Sequence, residues 1–100
     1  MSDIDGTWHV VVDSPIGKQN FEAKLSSDDG TLRGTLTNTA NNITADVFDG
    51  TTSGPEQHWK VKLQQIRMTV QFTTTVEGDT MSGKAKAGPF GTFPVSGRRG

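Results

Sequence analysis

The chain has 100 residues, no cysteine, and a net charge of −1 from ten basic and eleven acidic side chains. A chain of this length forms one domain, here residues 1–100, and buries about two-thirds of its unfolded surface. The composition excludes disulfides and thiolate metal sites, and the near-neutral, scattered charge disfavours nucleic acid as a partner because phosphate binding needs a basic face.

The N-terminal residues and the hydropathy pattern bear on localisation. Met-Ser-Asp-Ile-Asp at the start carries two acids and no apolar run, which is unlike a secretory signal. No apolar stretch approaches the ~20 residues of a membrane-spanning helix. We therefore expect a cytoplasmic protein with no membrane partner.

Apolar and polar residues alternate in eight segments, which is the pattern of β-strands with one buried face. In chain order, the residues predicted to face inward are Trp8, Val10, Val12; Phe21, Ala23, Leu25; Leu32, Gly34, Leu36; Ile43, Ala45, Val47; Trp59, Val61, Leu63; Met68, Val70, Phe72, Thr74, Val76; Met81, Gly83, Ala85; and Phe93, Val95, Gly97. The sequence predicts an all-β domain.

Glycine-containing turns separate the predicted strands. Asp28-Asp29-Gly30, Asp49-Gly50 and Glu77-Gly78-Asp79 predict tight hairpins, because glycine supplies the positive φ that such turns need. The other four connections are looser, but all are too short for a crossover helix, so successive strands pair antiparallel. Eight such strands avoid exposed edges by closing into an up-and-down barrel.

The strand count also assigns the connections to the two ends of the barrel. The tight turns follow strands two, four and six, and so share one end with both termini; the looser connections share the other. Trp8 begins the first strand and Arg98 and Arg99 end the eighth. Because these two strands pair in a closed barrel, we expect the Arg98 guanidinium to lie across the Trp8 indole and close that end.

Gly6-Thr7-Trp8 together with Arg98 or Arg99 resembles the Gly-x-Trp and late basic residue of the calycin superfamily, which comprises lipocalins, fatty-acid-binding proteins and avidins. The segment DGTLRGT (29–35) is similar to the second hairpin of the streptavidin group. Pro15-Ile16-Gly17 and residues 88–98 are similar to small bacterial single-barrel proteins of uncharacterised role. The resemblance implies an eight-stranded antiparallel up-and-down barrel that holds a small ligand.

Departures from these families restrict the ligand. The chain has no tyrosine, and Trp59 is its only tryptophan besides Trp8, whereas biotin binders line their pocket with several tryptophans and a tyrosine. The long helix that follows the eighth lipocalin strand is missing, which argues against a large retinoid-sized pocket. Biotin and retinoids are therefore not the expected ligands.

Two interpretations of the barrel interior remain open. In one, the small inward residues accommodate the large rings in a filled core, and the protein is a structural or interaction module. In the other, a small hydrophobic molecule binds near the looser end. The residues predicted to contact it are Val12, Phe21, Leu36, Ile43, Trp59, Leu63, Met68, Ala85 and Phe93, with Asn38, Gln64 and Gln65 at the rim and Ile16 and Phe90 as a gate.

An enzymatic alternative depends on the Glu56-x-His58 pair. If this pair faced inward, it would supply acid–base chemistry to a hydrophobic substrate, as in an isomerase, cyclase or lyase; otherwise these are two solvated strand residues. With two histidines and no cysteine, a zinc site has few ligands, and we expect no cofactor. Barrels of this size often associate, so we expect a homodimer.

Overall fold

The computed structural model describes residues 4–14, 17–40, 42–63 and 68–99. Its strands are β1 (Gly6–Ser14), β2 (Gly17–Asp28), β3 (Thr31–Asn38), β4 (Ile43–Ser53), β5 (Glu56–Leu63), β6 (Met68–Glu77), β7 (Thr80–Lys86) and β8 (Thr92–Arg99), with a short 3-10 helix at Gly88–Phe90. Each strand pairs antiparallel with the next, and β8 pairs with β1, so the sheet closes into a barrel. The predicted all-β, up-and-down barrel is confirmed.

The alternation of apolar and polar residues places one face of every strand inside the barrel. In β6, Val70, Phe72, Thr74 and Val76 are buried, whereas Gln71 and Thr73 between them are exposed and Thr75 is partly exposed. The same alternation holds in β5, where Trp59 and Val61 are fully buried on either side of Lys60. The period of two therefore sets the register that fills the core.

Glycines allow neighbouring strands to approach closely on the inside of this small barrel. A Cβ at position 34 would lie 1.9 Å from the carbonyl oxygen of Lys24, and one at position 83 would lie 1.9 Å from that of Thr73. No side chain fits at either distance. Gly34 and Gly83 therefore occupy places where the backbone of the neighbouring strand leaves no room for a side chain.

The prediction that Asp49-Gly50 forms a hairpin turn was wrong. Both residues lie within β4, where the register with β3 shifts between Leu32 and Gly34 and the register with β5 shifts between Phe48 and Thr51. Asp49 has a φ of 50°, so the Asp-Gly pair forms a β-bulge. The turn comes later, at Gly54-Pro55, and β5 keeps its register beyond Pro55.

The connections divide between two ends of the barrel as expected. The end we call the floor carries the β2–β3, β4–β5 and β6–β7 turns together with the start of β1 and the end of β8. The opposite end, which we call the mouth, carries the other four connections, including the 3-10 helix. Among the described residues no helix has both the length and the apolar character needed to cross a bilayer.

Candidate binding site

The floor is sealed by the segment that precedes β1. Ile4 and Trp8 are completely buried, and the Trp8 indole Nε1 donates a hydrogen bond of 2.8 Å to the carbonyl oxygen of Ile4. The Asp5 carboxylate accepts bonds from the backbone N–H of Ser27 at 2.7 Å and from its hydroxyl at 2.8 Å. These bonds tie the segment to both β1 and β2, so the core at this end is covered.

Arg99, rather than Arg98, covers Trp8. The Arg99 guanidinium carbon lies 4.4 Å from the centroid of the Trp8 ring, within cation–π range. Arg98 is exposed on the outer wall, opposite His9 of β1. The prediction that Arg98 covers Trp8 is therefore corrected. The reason is that inward and outward positions alternate along β8. Gly97 is buried, so the next inward position of β8 is residue 99.

The Arg99 side chain also joins the two termini of the barrel to a hairpin turn. Its Nη1 donates to the carbonyl oxygen of Asp5, and its Nε lies 3.3 Å from Oδ1 of Asp79. The Arg99 backbone N–H donates to the carbonyl oxygen of Asp79 at 2.9 Å. One residue thus connects β8, the segment before β1 and the β6–β7 turn.

A stacked aromatic pair and a chain of polar groups lie deep inside the barrel. The Trp59 and Phe72 rings are parallel within 8°, with centroids 4.2 Å apart. Trp59 Nε1 donates to the Thr74 hydroxyl at 3.1 Å, which donates to Oε1 of Gln57 at 3.2 Å. Gln57 Nε2 in turn donates to the carbonyl oxygen of Pro55 at 2.8 Å. Each buried polar group in this series of hydrogen bonds therefore has a partner, as burial requires.

Gln57 was missed from the sequence, although the signal was present. It lies two residues before Trp59 on the same strand and so shares its inward face. In a sequence, a single glutamine is typical of the surface. The burial of Gln57 is explained only by its hydrogen bonds to Thr74 and Pro55. It is 1% exposed.

Apolar side chains become more accessible towards the mouth. At the floor, Trp8, Val76 and Met81 are at most 3% exposed. Near the mouth, Phe21 is 7% and Val12 8% exposed, and Ile43 at the start of β4 is 40% exposed. Two further predicted contact residues, Met68 and Phe93, are only partly buried against the core.

The predicted contact residues therefore fall into two groups. Ile43, Met68 and Phe93 are at least partly exposed near the mouth, whereas Val12, Phe21, Leu36, Trp59 and Ala85 belong to the buried core, the last three at no more than 2% exposed. The predictions for Ile16, Gln64 and Gln65 fall outside the described residues, and those for Leu63 and Phe90 rest on side chains that are likewise not described. Asn38 ends β3 at the mouth and is partly buried.

The Glu56–His58 pair faces the outside of the barrel. His58 Nε2 lies 2.6 Å from Glu56 Oε1, and the two side chains are 47% and 52% exposed. His58 Nδ1 lies 3.4 Å from the Thr73 hydroxyl on the same outer wall. The pair therefore matches the interpretation as two solvated strand residues, and the inward placement that the enzymatic alternative required is not observed, because β5 keeps its register after Pro55.

Other features of the described residues differ in chemistry from the mouth. Histidine, aspartate and glutamate side chains in this part of the chain form no group of three or more suited to a metal ion. A groove of about 470 Å³ lies beside the β4 bulge, lined by residues 31–34 and 46–50. Its lining includes Arg33, Asp46 and Asp49, so it differs in character from the apolar mouth.

The comparisons with known proteins identify no relative. No protein-family model matches the chain, and the searches of curated proteins and of solved structures return no significant match. The function therefore has to be argued from the barrel itself.

Proposed function

We propose that this protein is a calycin-like barrel that binds a small hydrophobic molecule at its mouth. The observation that carries the proposal is the contrast between the two ends of the barrel. The floor is covered by Ile4, Trp8 and Arg99, whereas apolar side chains such as Ile43 and Met68 are accessible at the mouth. A barrel of eight strands has an interior just wide enough for one small ligand.

The chemistry of the mouth favours an apolar ligand with few polar groups. Ile43, Met68 and Phe93 present aliphatic, thioether and aromatic surface, and the buried Val12 and Phe21 lie at the same end of the core; such side chains are the usual lining of small-molecule sites. Asn38 at the rim carries an amide group for a hydrogen bond to such a ligand, and its Oδ1 already accepts a bond from the Ala40 N–H at 2.9 Å. Ile16 and Phe90 remain the proposed gate.

The stacked Trp59–Phe72 pair sets how deeply a ligand would enter the barrel from the mouth. Its polar edge is already occupied, because the Trp59 indole N–H is bonded to Thr74. The ligand would therefore rest on the apolar surface above the pair and would not compete for the buried polar chain. We expect the ligand to be small, since the residues below this level are almost completely buried.

Two substitutions on one strand test the proposal with a matched control. Ile43 and Phe48 both belong to β4 and are 40% and 39% exposed, but Ile43 lies in phase with the inward residues Ala45 and Val47, whereas Phe48 lies out of phase. The probe is the neutral apolar fluorophore N-phenyl-1-naphthylamine. We expect the intact protein to increase its fluorescence, Ile43→Asp to abolish the increase, and Phe48→Asp to retain it.

The opposite results would contradict the proposal. If the intact protein does not increase the fluorescence of the probe, or if both aspartate variants behave alike, the mouth is not a binding site. The interior is then a filled core, and the protein acts as an interaction module through its outer wall.

A further inference from the structure

The outward side chains of β5, β6 and β7, which we call the β5–β7 face, divide by charge along the barrel. Four of the six lysines of the chain lie on the half nearer the mouth: Lys60, Lys62, Lys84 and Lys86. Glu56 and Glu77 lie on the half nearer the floor, and Asp79 lies in the adjoining turn. One continuous face thus carries a positive half and a negative half.

The strand register shows how closely the charged side chains are grouped. Lys60 pairs with Gln71, which pairs with Lys86, so these three side chains form one row across the strands. Glu56 pairs with Thr75, four residues further along β6. Given ~3.4 Å per residue, the two rows lie about 14 Å apart. Lys84 pairs with Thr73, midway between these rows, so the positive half extends to the middle of the face.

Most of these charges have no partner within the part of the chain that the structure describes. Lys62, Lys84, Lys86 and Glu77 are exposed and take part in no ion pair there, while Lys60 lies 3.8 Å from Asp49. Glu56 contacts His58, and Asp79 contacts Arg99. Arg98, opposite Thr80, stands at the border of the face. Unpaired charges of both signs remain for an external partner.

We propose that the β5–β7 face binds a second copy of this chain in a two-fold symmetric, antiparallel dimer. A two-fold axis lying in the contact plane and running across the strands reverses the strand direction of the partner. It brings the outer lysines of each subunit, Lys60, Lys62 and Lys86, opposite the carboxylate half of the other, and Lys84 lies near the axis. An axis along the strands would instead place lysines opposite lysines, which repel.

The centre of the face suits close contact between two barrels. Thr73 lies midway between the Lys60 and Glu56 rows, and Thr75 and Ser82 lie in the Glu56 row; all three carry short hydroxyl side chains. Three strands by about 30 Å give roughly 400 Å² per subunit, at or below the low end of specific interfaces. The dimer is therefore weak and depends on salt.

Sedimentation equilibrium of the full chain at two ionic strengths tests the dimer first. In about 0.02 M salt, where charges act over about 20 Å, the mass should rise towards that of a dimer with concentration. In about 0.3 M salt we expect the dissociation constant to be about tenfold higher or more. A monomer at every concentration in low salt would overturn the proposal.

A charge swap tests which surface is involved. We expect Lys84→Glu with Lys86→Glu to be monomeric, and Glu56→Lys with Glu77→Lys to be monomeric, but an equimolar mixture of the two double variants to dimerise. The matched control is Lys18→Glu with Lys24→Glu, since β2 stands across the barrel from β6. The control should dimerise with itself. If it is also monomeric, or if the mixture fails to associate, the proposed face is wrong.

Discussion

At the scale of single residues, Arg99 shows how one side chain can hold an end of the barrel. Its guanidinium stacks on Trp8, donates to the backbone of Asp5 and contacts the Asp79 carboxylate. Arg98, its neighbour in sequence, is exposed on the outer wall. The resemblance to calycins does not say which of the two arginines covers Trp8. The alternation along β8 distinguishes them, because the inward position after Gly97 is residue 99.

The two arginines provide a matched pair for a stability measurement. We expect Arg99→Ala to lower the free energy of unfolding by about 2 kcal/mol, combining a cation–π contact with a charged hydrogen bond. Arg98→Ala should change it by less than about 0.5 kcal/mol, as is usual for surface substitutions. Urea unfolding followed by fluorescence measures both. Equal effects would show that Arg99 does not hold the floor.

The buried polar chain leads to a second prediction at this scale. Thr74→Val preserves the shape of the side chain but removes the partner of both the Trp59 indole and the Gln57 carbonyl oxygen. Because a buried unsatisfied group costs about 1–3 kcal/mol, we expect a loss in that range. Thr73→Val, on the exposed side of the same strand, is the control and should leave the urea midpoint nearly unchanged.

At the scale of elements, the strands could be predicted well and one turn could not. The alternation of apolar residues identified all eight strands and their inward faces, since burial of one face fixes the register. Asp49-Gly50 was misassigned because an Asp-Gly pair with positive φ serves a tight turn and a β-bulge equally well. Only the pairing of β4 with both neighbours, which the sequence does not display, separates the two.

The close strand approach at Gly83 can be tested by adding one methyl group. Gly83→Ala would place its Cβ 1.9 Å from the Thr73 carbonyl oxygen, whereas the nearest atom to a Cβ at Gly97 is 3.2 Å away. We expect the first substitution to cost more than about 2 kcal/mol and the second less than about 1 kcal/mol. Thermal unfolding of the two variants gives the comparison, and similar melting temperatures would contradict the close approach of the Thr73 backbone to Gly83.

At the scale of the whole molecule, the two ends of the barrel differ in how completely they cover the core. The floor gathers both ends of the strand sequence and three tight turns, and its core is covered, so it contributes to stability. The sequence predicted this division, because the number of strands decides which connections share an end. It did not predict the segment at Ile4 that completes the seal, since a single apolar residue outside a strand has no pattern to reveal it.

The most direct test of binding at the mouth is an NMR titration of the isotopically labelled protein with N-phenyl-1-naphthylamine. We expect the amide signals of Val12, Phe21, Ile43 and Phe93 to shift and saturate, while those of Trp8 and Arg99 at the floor stay in place. Unshifted spectra at saturating probe, or shifts confined to the floor or the outer wall, would contradict a ligand site at the mouth.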